Sequence, residues 1–129
     1  MRAKSLVIIL TIGLFLVVSL PIWAHHGTAA YDTSKIVTVK ATMTEFDFVN
    51  PHCQLFFDVK NDKGEIEKWQ GELTAPNKLA RAGWTKYTLK AGDAVTVSGY
   101  RSKTGAYSLW IRTLIGPDGN SLPLSENQD

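Results

Sequence analysis

The sequence has few cysteines and none of the common catalytic or nucleotide-binding motifs. It holds a single cysteine in 129 residues, so no disulfide can form within the chain and the fold must depend on packing. It contains no activated-serine motif, no phosphate-cradling glycine loop, no dinucleotide fingerprint and no internal repeat. An enzyme is therefore the least favoured class, and we assign no catalytic and no cofactor-binding residue.

The first 24 residues have the pattern of a secretory signal peptide. A basic start is followed by an almost wholly apolar run at residues 6–20. Those fifteen residues fall short of the roughly 20 that a membrane-spanning helix needs. We predict cleavage between Ala24 and His25, with cleavage after Ala30 or retention of the leader as alternatives. The protein is expected to be exported, with membrane contact only through an uncleaved leader.

The sequence also lacks a large excess of either positive or negative charge. The chain has 14 Lys and Arg against 12 Asp and Glu, and Arg2 and Lys4 would leave with the signal peptide. The mature chain would then be neutral, and a neutral surface offers little attraction to nucleic acid or to anionic lipid. We therefore expect no nucleic-acid partner.

The rest of the chain is dominated by alternating apolar and polar residues, which predict β-strands. The first strand changes phase after Met43, where the apolar positions move to Phe46 and Phe48, and such a change predicts a bulge or strong coiling of the strand. Alternation in the second strand places Cys53 among core residues. The predicted strands are Lys35–Val49, His52–Lys60, Glu65–Leu73, Ala94–Lys103 and Tyr107–Ile115, with a stub around Leu122–Leu124.

One short helix is predicted between the third and fourth strands. In the segment TAPNKLARAGW, Thr74 is suited to cap the helix, Pro76 to its first turn and Gly83 to its end. Three strands, a helix and two strands is the order of an all-β, five-stranded Greek-key barrel of the oligonucleotide/oligosaccharide-binding (OB) type. An open sandwich with a covering helix is the alternative. The predicted organisation is a signal peptide (1–24), an extended segment (25–35), the barrel domain (36–124) and a flexible tail (125–129).

Three motifs resemble a secreted bacterial family, domain of unknown function six-one-five-two (DUF6152). They are AHH at residues 24–26, NPH at residues 50–52, and RAGWTKYTLKAGDAVTVSGYRSKTG at residues 81–105. The resemblance covers nearly all of the mature chain. It implies a small β domain in the bacterial periplasm or secreted from the cell, and it implies no established activity.

All three histidines of the chain fall within the two short motifs, and they are our predicted metal ligands: His25, His26 and His52. After cleavage at Ala24, the α-amine and the ring Nδ1 of His25 could chelate one ion, and a second histidine would complete a histidine brace. Planar nitrogen ligands favour Cu(II), so copper is the predicted metal, with zinc as an alternative. Solvated or purely structural histidines are the competing interpretation.

Distance is the main obstacle to such a site. His52 begins the second strand, whereas the mature terminus enters at the beginning of the first strand, a strand length away. The ten residues 26–35 span about 33 Å when extended, which is enough to bring His25 or His26 back towards His52. A shared site is reachable, although the topology does not require it.

The fold suggests a second function. Barrels of this type bind ligands across the second and third strands. In this chain that ligand face is predicted to contain Phe48, Phe56, Trp69 and Tyr107, which could stack on a glycan or grip a peptide. The core is the favoured alternative place for Trp69, Trp84 and Trp110 in so small a domain. The expected partner is thus a metal ion or a small ligand, and an envelope protein is a further candidate.

Overall fold

The computed structural model describes residues 27–125, which form a closed five-stranded barrel with one short α-helix. The predicted all-β fold class is confirmed. The predicted signal peptide, His25, His26 and the tail beyond Ser125 lie outside the described residues. The elements are a 3₁₀ turn (Thr28–Ala30), β1 (Val37–Asp47), β2 (Gln54–Lys60), β3 (Ile66–Glu72), α1 (Pro76–Arg81), β4 (Ala94–Arg101) and β5 (Ser108–Ile115).

The strands follow the order β1, β2, β3, β5, β4 around the barrel, and β4 pairs again with β1. Neighbouring strands are antiparallel except β3 and β5, which are parallel over three residue pairs. This is the order of an OB barrel. Closure removes most of the unpaired edge that an open sheet would expose, so the open sandwich is the wrong alternative.

Strand β1 closes the barrel because it pairs with two neighbours. Its first half pairs with β4 and its second half with β2, and residue 42 pairs with both. The register with β2 shifts between Met43 and Glu45, which confirms the predicted bulge. Met43 is buried before the shift, and Phe46 packs against the core after it. The bulge therefore lets apolar side chains on both sides of the register shift point into the barrel core.

The core is filled by inward side chains of all five strands and by α1. In β2 the buried residues are Leu55, Phe57 and Val59, as the alternation predicts. Cys53 precedes them and is fully buried, which confirms its predicted place in the core. Burial raises the pKa of the Cys53 thiol to about 11, despite a hydrogen bond to the Val49 backbone that lowers it. The thiol is therefore protonated and unreactive at neutral pH.

Helix α1 begins at Pro76, one residue later than it would if Thr74 were its N-cap. Its N-cap residue is Ala75, and Pro76 occupies the first turn. Thr74 is instead buried, and its carbonyl accepts a hydrogen bond from the Cys53 amide at 3.0 Å. This contact holds Thr74 beside β2, so the prediction that it caps α1 was wrong. Gly83, with φ 93°, follows the helix as predicted. In the described range 27–125, no helix has the length and apolarity to span a membrane.

A second bulge interrupts the pairing of β5 with β4. The register between β4 and β5 shifts at Ser98/Gly99, so Ile111 and Leu114 both reach the core although they are three residues apart. Trp110 lies before the shift, between the buried Leu109 and Ile111, so alternation points it to the outer surface. The shift brings the Trp110 backbone so close to Gly99 that a Cβ at Gly99 would collide with the Trp110 carbonyl oxygen.

The segment after β5 also contributes to the barrel, although it is not a strand. Ser121 forms an isolated bridge with Ile115, and the Leu122 amide donates to the Leu114 carbonyl. The indole nitrogen of Trp84 donates to the Pro123 carbonyl at 2.7 Å. The predicted stub is thus a short pairing segment that covers part of the β5 edge.

Substitution Gly99→Ala should lower the free energy of unfolding by roughly 1–3 kcal/mol, because the added methyl group meets backbone atoms that cannot rotate away. Gly27→Ala is the matched control, since a Cβ at Gly27 would meet nothing within 4 Å. Urea denaturation followed by tryptophan fluorescence measures both. Equal stability of the two variants would contradict the close approach at Gly99.

Candidate functional site

The outer surface of β3 and β5 carries a small cluster of side chains outside the barrel core. Trp110 is the register partner of Glu72, and both lie on the outward side of their strands. Trp110 is nevertheless only 2% exposed, because two other rings cover it. Its ring centroid lies 6.0 Å from that of Tyr31 and 5.7 Å from that of His52. We call Tyr31, His52, Glu72, Ser108 and Trp110 the outer-face cluster.

Glu72 connects the two polar rings of this cluster. Its Oε1 lies 2.5 Å from Nδ1 of His52, and its Oε2 accepts a hydrogen bond from the Tyr31 hydroxyl at 2.9 Å. The hydroxyl of Tyr31 also lies 3.5 Å from the Ser108 hydroxyl. One carboxylate therefore joins a residue before β2 to a residue of the N-terminal segment.

The contact with Glu72 decides which nitrogen of His52 is available. A carboxylate only accepts hydrogen bonds, so Nδ1 carries the proton and Nε2 of the neutral ring keeps its lone pair. Within residues 27–125, no hydrogen-bond partner contacts Nε2. The His52 side chain is 37% exposed. The ring is thus fixed at one nitrogen and open at the other.

The Tyr31 hydroxyl stays protonated and can therefore donate its hydrogen bond to Glu72 at neutral pH. Burial raises the pKa of its phenol, the contact with Ser108 lowers the pKa, and Glu72 raises it again. The net shift is upward, so the phenol keeps its proton at neutral pH. Beneath these groups, the indole N–H of Trp110 is buried and has no acceptor among the described residues.

The N-terminal segment lies against the end of β4. Tyr31 forms a bridge with Ser102, and the Asp32 amide donates to the Arg101 carbonyl at 2.8 Å. Lys103 donates its amide to the Ala30 carbonyl at 3.0 Å, and its Nζ donates to a second carbonyl of the 3₁₀ turn at 2.9 Å. The chain that leads back to the histidine pair is therefore held beside the cluster that contains His52.

Only one of the three predicted metal ligands falls within the described residues. His52 belongs to the outer-face cluster, whereas His25 and His26 lie outside the described range. Between Gly27 and Ser125, no three His, Cys, Asp or Glu side chains form a group able to hold a metal ion. A metal site at His52 would need ligands from outside this range.

The predicted ligand-face residues lie in three different places. Trp69 and Tyr107 come together, with ring centroids 5.1 Å apart, and the Arg101 guanidinium lies 5.2 Å from the Trp69 ring. Trp69 is buried in the core, whereas Tyr107 is 45% exposed. Phe48 packs against the core beside Phe46, at a centroid distance of 6.0 Å.

Phe56 is the fourth of these residues and lies on the outer side of β2. Its neighbour Phe57 is the register partner of Trp69, and both of those residues are buried. Because side chains alternate along a strand, Phe56 and Trp69 face opposite sides of the sheet. Phe56 instead shares the outer side with Gln54 and Gln70, whose side-chain amides hydrogen-bond to each other at 2.5 Å.

Four members of the outer-face cluster were not predicted from the sequence as site residues: Tyr31, Glu72, Ser108 and Trp110. Alternation along β3 could have shown that Glu72 points outward. Its contact with His52 depends on the registers of β3 with β2 and β5, which alternation does not give. Tyr31 reaches the cluster only because its segment folds back along β4.

The family model described as a family of unknown function (DUF6152) matches residues 14–109, and the chain belongs to that family. A comparison with curated proteins found no match.

Substitution Tyr31→Phe should lower the free energy of unfolding by about 1 kcal/mol, because it removes the hydrogen bond to Glu72 while keeping the ring on Trp110. Tyr87→Phe should have no measurable effect, since Tyr87 is 78% exposed. Chemical denaturation of the two variants and the wild type is the measurement. A Tyr31→Phe protein as stable as the Tyr87→Phe control would show that the Tyr31 hydroxyl adds no stability.

Proposed function

We propose that this member of the DUF6152 family is an exported binding module of the bacterial periplasm that coordinates copper through His25, His26 and His52. The observation that supports this proposal is the state of His52. Its Nδ1 is held by a carboxylate, and its Nε2 has no partner within residues 27–125. Histidines that ligate metals usually make this kind of contact through their second nitrogen.

The position of the N-terminal segment supports the participation of His25 and His26. Tyr31 shares the Glu72 carboxylate with His52, and His26 precedes Tyr31 by five residues. Five residues reach up to about 17 Å when extended, and the turn at Thr28–Ala30 shortens that reach. Gly27, the first described residue, is therefore only four residues from a side chain that shares a carboxylate with His52.

The chemistry of a freed terminus favours copper. Cleavage after Ala24 would give His25 an α-amine beside its imidazole, and these two nitrogens form a chelate to which His52 adds a third. Cu(II) heads the affinity order for divalent ions and accepts planar nitrogen ligands, whereas Zn(II) prefers a tetrahedral set. These ligands bind only when deprotonated, so affinity should fall in acid.

The test combines mass analysis with metal titration. Intact-mass analysis of exported protein should give a chain that begins at His25. That protein should bind one equivalent of Cu(II) with sub-micromolar affinity, and His25→Ala or His52→Ala should weaken binding by at least tenfold. A chain whose His25 α-amine is acetylated is the matched control, because it keeps every imidazole but removes the amine as a ligand.

Each outcome of this test is decisive. Loss of affinity in the acetylated chain supports chelation by the terminal amine. Unchanged affinity in both histidine variants, or micromolar binding by the wild type, would remove the copper proposal.

A second candidate function is binding of a glycan or peptide without metal. It is favoured by the outer side of β2 and β3, where the partly exposed Phe56 lies beside the paired amides of Gln54 and Gln70. An aromatic ring with neighbouring amides can stack on a sugar and hydrogen-bond its hydroxyls. Phe56→Ala would weaken such binding without creating a cavity in the core.

A further inference from the structure

The outer-face cluster joins two parts of the chain that are distant in sequence through a single side chain. Glu72 accepts from His52 with one oxygen and from Tyr31 with the other. Its side chain is 25% exposed, and the residue lies at the end of β3, where its backbone pairs with both β2 and β5. The carboxylate is therefore held by a rigid part of the barrel while its two partners lie outside the strands.

The two partners differ in what holds them. His52 precedes β2, and its ring packs edge-on against Trp110. Tyr31 is carried by the N-terminal segment, whose backbone contacts with the barrel are the Ser102 bridge and the hydrogen bonds at Asp32 and Lys103. Loss of Glu72 would therefore release the His52 ring and remove a side-chain contact of the segment at the same time.

We propose that Glu72 is a positioning residue that selects the Nδ1-protonated form of His52 and couples the open Nε2 to docking of the N-terminal segment through Tyr31. Its consequence for metal affinity rests on the function proposed above, whereas its effects on the ring and the segment do not. Coupling of this kind is reciprocal: whatever steadies the segment also steadies the His52 ring.

The experiment begins with metal-free protein, so that it is independent of copper. Two-dimensional ¹⁵N NMR of the imidazoles at mildly alkaline pH should show His52 protonated at Nδ1 in the wild type and a mixture of the two forms in Glu72→Ala. Amide hydrogen exchange at Asp32 and Lys103 should be about tenfold faster in Glu72→Ala, the size expected for losing a hydrogen bond to a charged group.

Two control variants separate positioning from general damage. Asp58→Ala removes another outward-facing carboxylate, one whose partner across the strands in the described part of the chain is Lys68, at 2.7 Å. This variant should leave the His52 ring and both amides unchanged. Glu72→Asp should restore part of the wild-type behaviour. Exchange at buried Val97 reports whether the barrel itself has loosened.

Cu(II) titration then connects the positioning role to function. Glu72→Ala should weaken binding by 10- to 100-fold, as is usual when the partner of a ligating histidine is lost. If the wild type binds no copper but the NMR and exchange results hold, the copper proposal fails and the positioning role stands. A wild-type His52 protonated mainly at Nε2, or exchange at Asp32 and Lys103 that is the same in Glu72→Ala as in the wild type, would overturn the positioning role.

Discussion

Closure of the barrel through β1 is the constraint on which the remaining structure depends. One strand pairs with β4 along its first half and with β2 along its second, and the bulge after Met43 allows the bend. Once β1 is shared in this way, β3 and β5 meet as a parallel pair on the far side. The seam between β3 and β5 is short, and the outer-face cluster lies directly on it.

The seam explains why a cluster exists on the outside of so small a domain. Three parallel pairs bring Glu72 beside Trp110, and alternation with the buried Leu109 and Ile111 points Trp110 away from the core. Shielding a large indole on the outer surface from water is favourable, and the rings of Tyr31 and His52 cover the Trp110 indole. Burial of one apolar ring thus brings the N-terminal segment, a histidine and a carboxylate together. Among the residues that the structure describes, none contacts the second nitrogen of the His52 ring with a hydrogen bond.

Physical reasoning from the sequence went furthest where side chains alternate. The inward set of β2, the place of Cys53 and the change of phase in β1 all follow from periodicity, because burial acts on each residue through the strand's own geometry. The helix was found from Pro76 and Gly83, but its cap was misassigned. Thr74 has a capping side chain, yet a long-range hydrogen bond from Cys53 fixes it elsewhere. Local propensity yields to tertiary contacts of this kind.

By itself the sequence determined the fold class, the order of strands and helix along the chain, and the core face of the first two strands. Only the tertiary structure decided that His52 pairs with Glu72, that Tyr31 shares this carboxylate, and that Trp110 lies outside the core. The physical reason is that alternation is a local property with a period of two residues, readable along any strand. Contacts between strands depend on register, bulges and the return path of the N-terminal segment, and these are fixed only when the whole barrel closes.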